Sequence, residues 1–504
     1  MTEATQSEPD RGTVGQGHIT GYGTPAYRAY VLNALLIIYT LSFMDRALLS
    51  VVGRPLKAEF QITDFWYGML TGAGFAFVFA TLGIPLARLS EKRSRVWIIA
   101  IALAVWSGFT AATGLSHEVA FGGFVVTGFM FLLACRIGVG VGEAGANPPA
   151  SSIITDYFPA RSRSTALGYW AMGVTLGTML ANMIGGPIAD AYGWRMAFFA
   201  LGIPGILIAI LFVMTIREPP RGYSEPPEAR RGPPLSFSAV LKVLAARPSF
   251  WMMTAGATVA SFCGYAIAGF QSLYIQRTFD LTAGEASLWI NAPSYAAGAV
   301  GTLLTGWLAQ KIGSRSVSAI AWLPAIGLIL CVPFYLWGFT SPSLWICLAG
   351  LCLGHFVKYG YLAAQFTIAQ GVVPPSGRAT STAILIFVIN ILGYGFGPPF
   401  AGFLSDFFFS RAAAEAGYAG MTNGVCDAAQ EALKKAGEGV AKADVLAGLV
   451  RPMSEAQHAF CGVANSEATQ SALLTISAIY ALGGICFLLC LFTIRRDMTP
   501  RPVS

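Results

Sequence analysis

Apolar runs of about 20 residues, each long enough to cross a bilayer as a helix, recur from end to end of this chain. The sequence of 504 residues is 55% hydrophobic and only 11% charged, with a mean hydropathy of +0.60. An average soluble domain carries about 25% charged residues, so this composition excludes an ordinary soluble fold. The runs are about twice as long as a barrel strand and lack strict two-residue alternation, so they read as helices. The first 26 residues are polar and hold no apolar segment, which marks a disordered cytoplasmic tail and leaves the first span uncleaved. The net charge of +7 at pH 7 does not imply nucleic acid, because the basic residues are dispersed in short loops.

Twelve spans are predicted, at about 28–53, 65–87, 96–115, 124–155, 164–189, 195–216, 249–276, 285–309, 316–338, 343–372, 379–405 and 470–494. With the N-terminus inside, 20 Lys and Arg fall on inner segments and 4 on short outer loops and span ends. That bias predicts both termini in the cytoplasm of a multi-pass protein of the plasma (bacterial inner) membrane. The implied organisation is a tail (1–26), a six-helix bundle (27–216), a linker with an amphipathic helix (217–248), helices 7 to 11 (249–405), a long extracytoplasmic loop (406–469), and helix 12 with a cytoplasmic tail (470–504).

The two halves repeat. GIPLARLSEKRSR after span 2 is answered by GWLAQKIGSRS after span 8, and RSRSTALGYWAMGVTLGTMLANMIGGPIAD around span 5 by RATSTAILIFVINILGYGFGPPFAGFLSD around span 11, a parallel repeat. With these motifs, FMDR in span 1 and RIGVGVGEAGANPPASSIITDYFP in span 4, residues 28–494 resemble the major facilitator superfamily of secondary transporters, and within it the Spinster group. The resemblance implies an all-α membrane fold of twelve transmembrane helices in two six-helix halves, working by alternating access. Eukaryotic Spinster members export sphingosine phosphate or lysolipids, so it also implies a proton-coupled exporter of an amphipathic, lipid-like substrate. Anion:cation symporters of the superfamily share the DR pair and the Gly-Glu-Ala stretch, which keeps a symporter of small organic anions as the rival; a channel is the third class. In the superfamily's loop motif an acid usually stands where this chain has Ala87, and the second copy has Gln310. Arg88, Glu91, Arg93, Lys311 and Arg315 are the motif's candidates for a cytoplasmic gate, while simple anchoring of the basic loop to anionic lipid is the alternative.

Two full charges, Asp45 and Arg46, lie inside the first run. Adjacent residues on a helix point about 100° apart, so each needs a partner elsewhere. Helical rise puts Arg136 of span 4 level with Asp45, and Glu143 two turns below Arg136 on nearly the same face. An unpaired charge at mid-bilayer costs at least about 2.5–3.5 kcal/mol, so these groups must face a cavity or one another. Asp45 and Glu143 are accordingly read as competitors for Arg136 that couple proton movement to a gate, against the plainer reading of a fixed salt bridge between spans 1 and 4. Arg46 is left to anchor substrate, hold the outer gate, or brace span 1. In span 10, Lys358 aligns with Glu143 or its neighbour through the repeat, and either contacts it or holds an anionic head group; His355 either senses pH or is a satisfied histidine between helices. Tyr265, Gln271, Tyr274, Tyr359 and Gln365 offer an apolar substrate wall with polar anchors, or serve helix packing.

GVGVGEAG lies inside a span with no strand before it, so it is not a dinucleotide site. No cofactor, metal site or enzyme activity is expected, and the partners are membrane lipid, an amphipathic small molecule and protons, with the chain a monomer. Seven of nine cysteines fall within spans; Cys426 and Cys461, in the loop between spans 11 and 12, form a disulfide if that loop faces an oxidising compartment, or stay as two thiols. The same loop holds a helical stretch, DAAQEALKKAGEGVAKADVLAGLV, and either caps the exit or binds a partner.

Overall fold

The computed structural model describes residues 21–117, 119–121, 124–224, 236–313, 318–374, 377–437 and 453–498. Ten stretches of helix are long and apolar enough to cross a membrane: Pro25–Val51, Asp64–Lys92, Arg95–Thr113, Gly128–Tyr157, Thr165–Tyr192, Trp194–Thr215, Pro248–Thr278, Ala319–Thr340, Thr380–Glu415 and Glu455–Asp497. Ala283–Gly313 and Leu344–Gly371 fill positions eight and ten, completing two sets of six. The second of these is divided at Tyr359 and Gly360, between Lys358 and Tyr361. One antiparallel ribbon, Val119–Phe121 with Phe124–Val126, interrupts the otherwise helical fold ahead of span 4, which begins at Gly128 rather than at 124.

Local sequence sets the helix ends. Span 1 starts where the Thr24 hydroxyl accepts from the Tyr27 N–H at 3.2 Å and Pro25, which lacks an N–H, occupies the first turn. Span 4 loosens between Glu143 and Asn147, just ahead of Pro148 and Pro149, whose rings cannot complete the helical ladder. Spans 2, 5, 8 and 11 each carry a π-helical segment, Met69–Ala73, Ala181–Gly185, Ser287–Asn291 and Ile389–Gly395. These four occupy equivalent places in the two halves and pack across the divide: a Cβ on Gly68 of span 2 would overlap the carbonyl of Pro398 in span 11, so the backbones touch there.

The stretch expected to be a long loop is largely helix. Span 11 continues to Glu415, a separate helix covers Asn423–Gly437, and span 12 starts at Glu455 rather than 470. A capping box, in which Ser454 and Gln457 exchange side chain to backbone bonds, starts span 12 well outside its apolar run. Hydropathy stops where polarity begins, whereas the helix continues until its capping residue. The rest of the predicted helical stretch, at 438–450, lies outside the described residues, as do most of the N-terminal tail and residues 225–235 of the linker. The amphipathic helix is Phe237–Ala245, with Val240 and Leu244 buried against the bundle.

The first and last described residues, Gly21 and Met498, lie at the start of span 1 and the end of span 12, on one side of the bundle, called here the termini side. The hydrogen bonds and ion pairs that cross between the halves, among the described residues, gather on the far side or at mid-depth. Outward faces are apolar, with Met214 and Phe492 77% and 84% exposed, as expected of surfaces that meet lipid.

On the termini side Arg95 is buried and bonds Asp156, Glu218, Ser152 and the Pro219 carbonyl, which ties the start of the linker to spans 3 and 4. Burial pushes the Glu218 carboxyl up, but the Val96 N–H and the Arg95 and Ser94 side chains that donate to it outweigh burial and hold it below its usual range. A carboxyl depressed in the folded state stabilises above its unfolded pKa of about 4.3 and loses that contribution as the pH falls through the folded value. Protection of the Val96 amide from exchange is therefore expected to persist through the ordinary glutamate range and to fall only at lower pH, and Glu218→Gln should show the reduced protection at neutral pH. Spans 8 and 10 supply a packing test. A Cβ on Gly301 would run into the Phe356 carbonyl, whereas one on Gly83 meets nothing within 4 Å. Gly301→Val should cost about 1–3 kcal/mol in detergent unfolding, and Gly83→Val should leave the melting temperature unchanged.

Candidate functional site: a charged membrane core

Asp45 and Arg46 both reach span 4, and each finds a different partner. Arg136 Nη1 donates to Asp45 Oδ2 at 2.8 Å, and Thr110 of span 3 donates to Asp45 Oδ1 at 2.6 Å, so both carboxylate oxygens are engaged. Arg46 donates from Nε at 2.8 Å and Nη2 at 2.5 Å to Glu143 Oε2, which also accepts from Ser42 at 2.6 Å. Glu143 therefore pairs with Arg46 and not with Arg136. Helical side chains lean toward their own N-terminus, so Arg46 points back toward the termini side, where Glu143 lies two turns beyond Arg136. Ser42 sits one turn before Arg46 on the same face.

The two pairs are not equivalent. All four groups are nearly withdrawn from solvent, with Glu143 and Arg136 1% exposed. Among the described residues, Glu143 Oε1 and Arg136 Nη2 meet no hydrogen-bond partner. Buried polar atoms seldom go unsatisfied, so these two set the cluster apart from a fully bonded structural network. Arg46 also has rings on several sides, Phe43 at 4.7 Å, Phe75 at 4.5 Å, Phe79 at 4.9 Å and, from the other half, Tyr394 at 6.0 Å. Tyr394 stacks on Tyr265 with ring centroids 4.1 Å apart, which places Tyr265 beside the cluster.

A second polar group lies in the C-terminal half. His355 Nε2 is 3.0 Å from Gln271 Oε1, and Gln271 donates on to Asn291 at 2.9 Å and Ser294 at 3.2 Å. Lys358, 2% exposed, stands in no ion pair among the described residues; its ammonium lies over the rings of Tyr359 at 4.8 Å and Tyr335 at 5.6 Å. It does not pair with Glu143, which Arg46 and Ser42 hold instead. Two other candidates are apart from both groups: Tyr274 donates to the Phe339 carbonyl at 2.7 Å as a packing bond, and Gln365 is buried farther along span 10 with Oε1 unpartnered.

In the loop motifs, Arg88, Glu91 and Arg93 have exposed side chains, Lys311 lies over Trp307 at 4.7 Å, and Arg315 is outside the described residues. The ordered anchor there is Arg95. Cys426 and Cys461 are joined, with Cα atoms 5.1 Å apart, and the bond links the Asn423–Gly437 helix to the start of span 12.

Sequence reasoning missed a third cluster, on the far side. Lys57 and Asp64 of the N-terminal half meet Arg277 at the end of span 7 and Asp427 of the Asn423–Gly437 helix, all four buried. Arg277 takes Asp427 through Nε at 3.0 Å and Nη2 at 2.6 Å, and Asp64 through Nη1 at 2.8 Å and Nη2 at 3.0 Å. The available signal was the scarcity of cations on the short outer loops and span ends, where Lys57 and Arg277 are two of four.

Residues 35–398 match the family described as the Major Facilitator Superfamily. A solved structure of a bacterial homolog to the human lysosomal transporter Spinster, in an inward-facing and occupied conformation, superposes with a TM-score of 0.78 at 32% identity, covering 95% of this chain and 100% of that one. Protein spinster of Drosophila melanogaster is 24% identical over 93% of this chain and 77% of its own length. An MFS-type efflux pump of Mycolicibacterium smegmatis is 28% identical over 74% of this chain and 84% of its own length. The helix count, the paired halves and these matches agree: the chain is a multi-pass membrane protein of the major facilitator superfamily, a Spinster-like transporter and not an enzyme.

Proposed function

We propose that this protein is a proton-coupled carrier working by alternating access, in which Glu143 carries the proton and Asp45 with Arg136 holds the frame around it. The observation that supports this is the contrast between the two carboxylates: Asp45 has both oxygens bonded, whereas Glu143 keeps Oε1 buried without a partner. A proton on Oε1 neutralises Glu143 and weakens its hold on Arg46, whose rings include one from the other half. Both termini are read as cytoplasmic, from the excess of Lys and Arg on that side, with the protein in the bacterial inner membrane. The side closed in the structure is then the outer one.

The substrate is read as an amphipathic lipid with an anionic head group, moved outward. The likeness to a Spinster homolog and to an efflux pump supports lipid and direction; buried Lys358 among tyrosines, with no carboxylate partner among the described residues, supports the anionic head. Lys358 fits a small organic anion as well, so a symporter of such acids is the second reading.

In proteoliposomes with an imposed pH gradient, Glu143→Gln is expected to abolish gradient-driven movement of a labelled lysophospholipid while leaving equilibrium exchange within about tenfold of the parent. Driven transport that survives in Glu143→Gln at the parent rate would sink the proton assignment. Asp45→Asn should instead lower stability, by an amount approaching the roughly 3–5 kcal/mol lost when a buried pair loses one member, because Arg136 is left without its carboxylate. For substrate class, thermal shift is measured across lysophospholipids, sphingoid bases and organic acids. Stabilisation by anionic lysolipids that disappears in Lys358→Ala supports the lipid reading, and stabilisation confined to organic acids replaces it with the symporter.

A further inference from the structure

The far-side cluster alternates in sign and is neutral as a set: Lys57 and Asp64 from the N-terminal half, Arg277 and Asp427 from beyond it. A carrier that opens on this side must pull the set apart, and a buried charge stripped of its partner is strongly unfavourable. How the four divide therefore decides whether opening is possible.

The attachments of Asp427 answer that. The residue before it, Cys426, is covalently joined to Cys461 on the helix that becomes span 12. Asn465 of the same helix donates to Asp427 Oδ1 at 2.8 Å and to the Asn423 carbonyl at 3.3 Å. Arg277 of span 7 grips Asp427 with two donors. All three attachments are to the C-terminal half. Toward the N-terminal half the Asn423–Gly437 helix makes noncovalent contacts, among them the Lys57 ammonium at 2.8 Å, a long bond from Arg54 to Gln430 at 3.4 Å, and packing of Gly424 on the carbonyls of Gln61 and Ile62.

We propose that the Asn423–Gly437 helix is a counterion carrier that travels with the C-terminal half, fixed there by the Cys426–Cys461 bond. When the far side opens, the cluster separates into two neutral pairs, Lys57 with Asp64 and Arg277 with Asp427, and no cation is left alone. The disulfide keeps Asp427 from staying behind on Lys57, which would strand Arg277. Span 7 thus obtains its counterion from a segment more than a hundred residues later that is itself no part of the membrane bundle. The inference rests on the alternating-access reading.

The test reads far-side opening as the distance between spin labels carried by non-canonical residues at positions 192 and 345, which are 74% and 67% exposed and lie at the far-side ends of spans 5 and 10, one in each half. Measurements use the full chain in lipid nanodiscs across a pH series. Asp427→Asn should cut the far-side-open population about tenfold or more, because the closed state keeps Asp64 for Arg277 and the open state does not. Asp427→Leu combined with Arg277→Met removes both members of the travelling pair and should return the open population to within about threefold of the parent. Cys426→Ser with Cys461→Ser should lower the open population in the same direction as Asp427→Asn and have no further effect in that background. An Asp427→Asn protein that opens as readily as the parent, a double variant that fails to recover while remaining monodisperse, or a disulfide-free protein that opens more than the parent would each overturn the inference and leave alternating access standing. A parent chain that never changes distance would overturn both.

Discussion

Charge in a low-dielectric interior is tolerable only when it is matched, and the organisation of this protein follows from that constraint. Within the described helices, Asp45 has Arg136, Glu143 has Arg46, and Lys57, Asp64, Arg277 and Asp427 neutralise one another. Apart from Lys57 with Asp64, each pairing joins elements far apart in sequence: span 1 to span 4 in the first two cases, and the ends of spans 1 and 2 to span 7 and the Asn423–Gly437 helix in the last. Apolar packing fills the volume between helices, but in lipid it cannot by itself choose one helix arrangement, because the surroundings are as apolar as the contacts. The ion pairs supply that choice. Lys358 stands outside this matching, with two tyrosine rings in place of a carboxylate, and that is why the proposed function gives it the anion.

The fold was legible because bilayer thickness imposes a length on every span, and a run of apolar residues displays that length directly. The signal failed where polarity no longer followed the membrane. Residues 455–469 are polar enough to end an apolar run, yet Ser454 caps a helix that begins there. The division of span 10 at Tyr359 and Gly360 and the π segments of spans 2, 5, 8 and 11 were invisible, since they depend on how neighbouring backbones approach.

Within the candidate site, depth along helices was enough to bring Asp45 to Arg136. It gave Glu143 the wrong partner because axial level was counted at Cα, whereas an arginine side chain spans more than a helical turn and leans toward its helix N-terminus. Arg46, which had no assigned partner, proved to be the partner of Glu143. The far-side cluster could not be assembled from sequence, since Asp427 comes from a helical stretch outside every predicted span and reaches Arg277 only after that helix and a disulfide have placed it. Charges at span ends are ordinarily solvated, and nothing in the pattern around Lys57 or Arg277 distinguishes burial from exposure.

The two clusters are also mechanically connected. Span 1 carries Asp45 and Arg46, and the chain continues through Gly53–Phe60 to Arg54 and Lys57, about 16 Å farther along nearly continuous helix. Helix is stiff along its axis, so a shift of Arg46 relative to Glu143 is delivered at the far side as a shift of Lys57 relative to Asp427. The same guanidinium faces Phe75 of span 2, and span 2 begins at Asp64, the other N-terminal member of the far-side set. Both N-terminal charges of the far-side cluster therefore sit at the ends of helices that contact Arg46. Tyr394 of span 11 closes the circuit from the other half, since its helix continues to Ser405 and Asp406, which bond the Asp64 carboxylate and the backbone N–H groups of Asp64 and Phe65. If Glu143 carries the proton as proposed, its change of charge bears on spans 1, 2 and 11 together, three of the helices whose far-side ends bond across the halves.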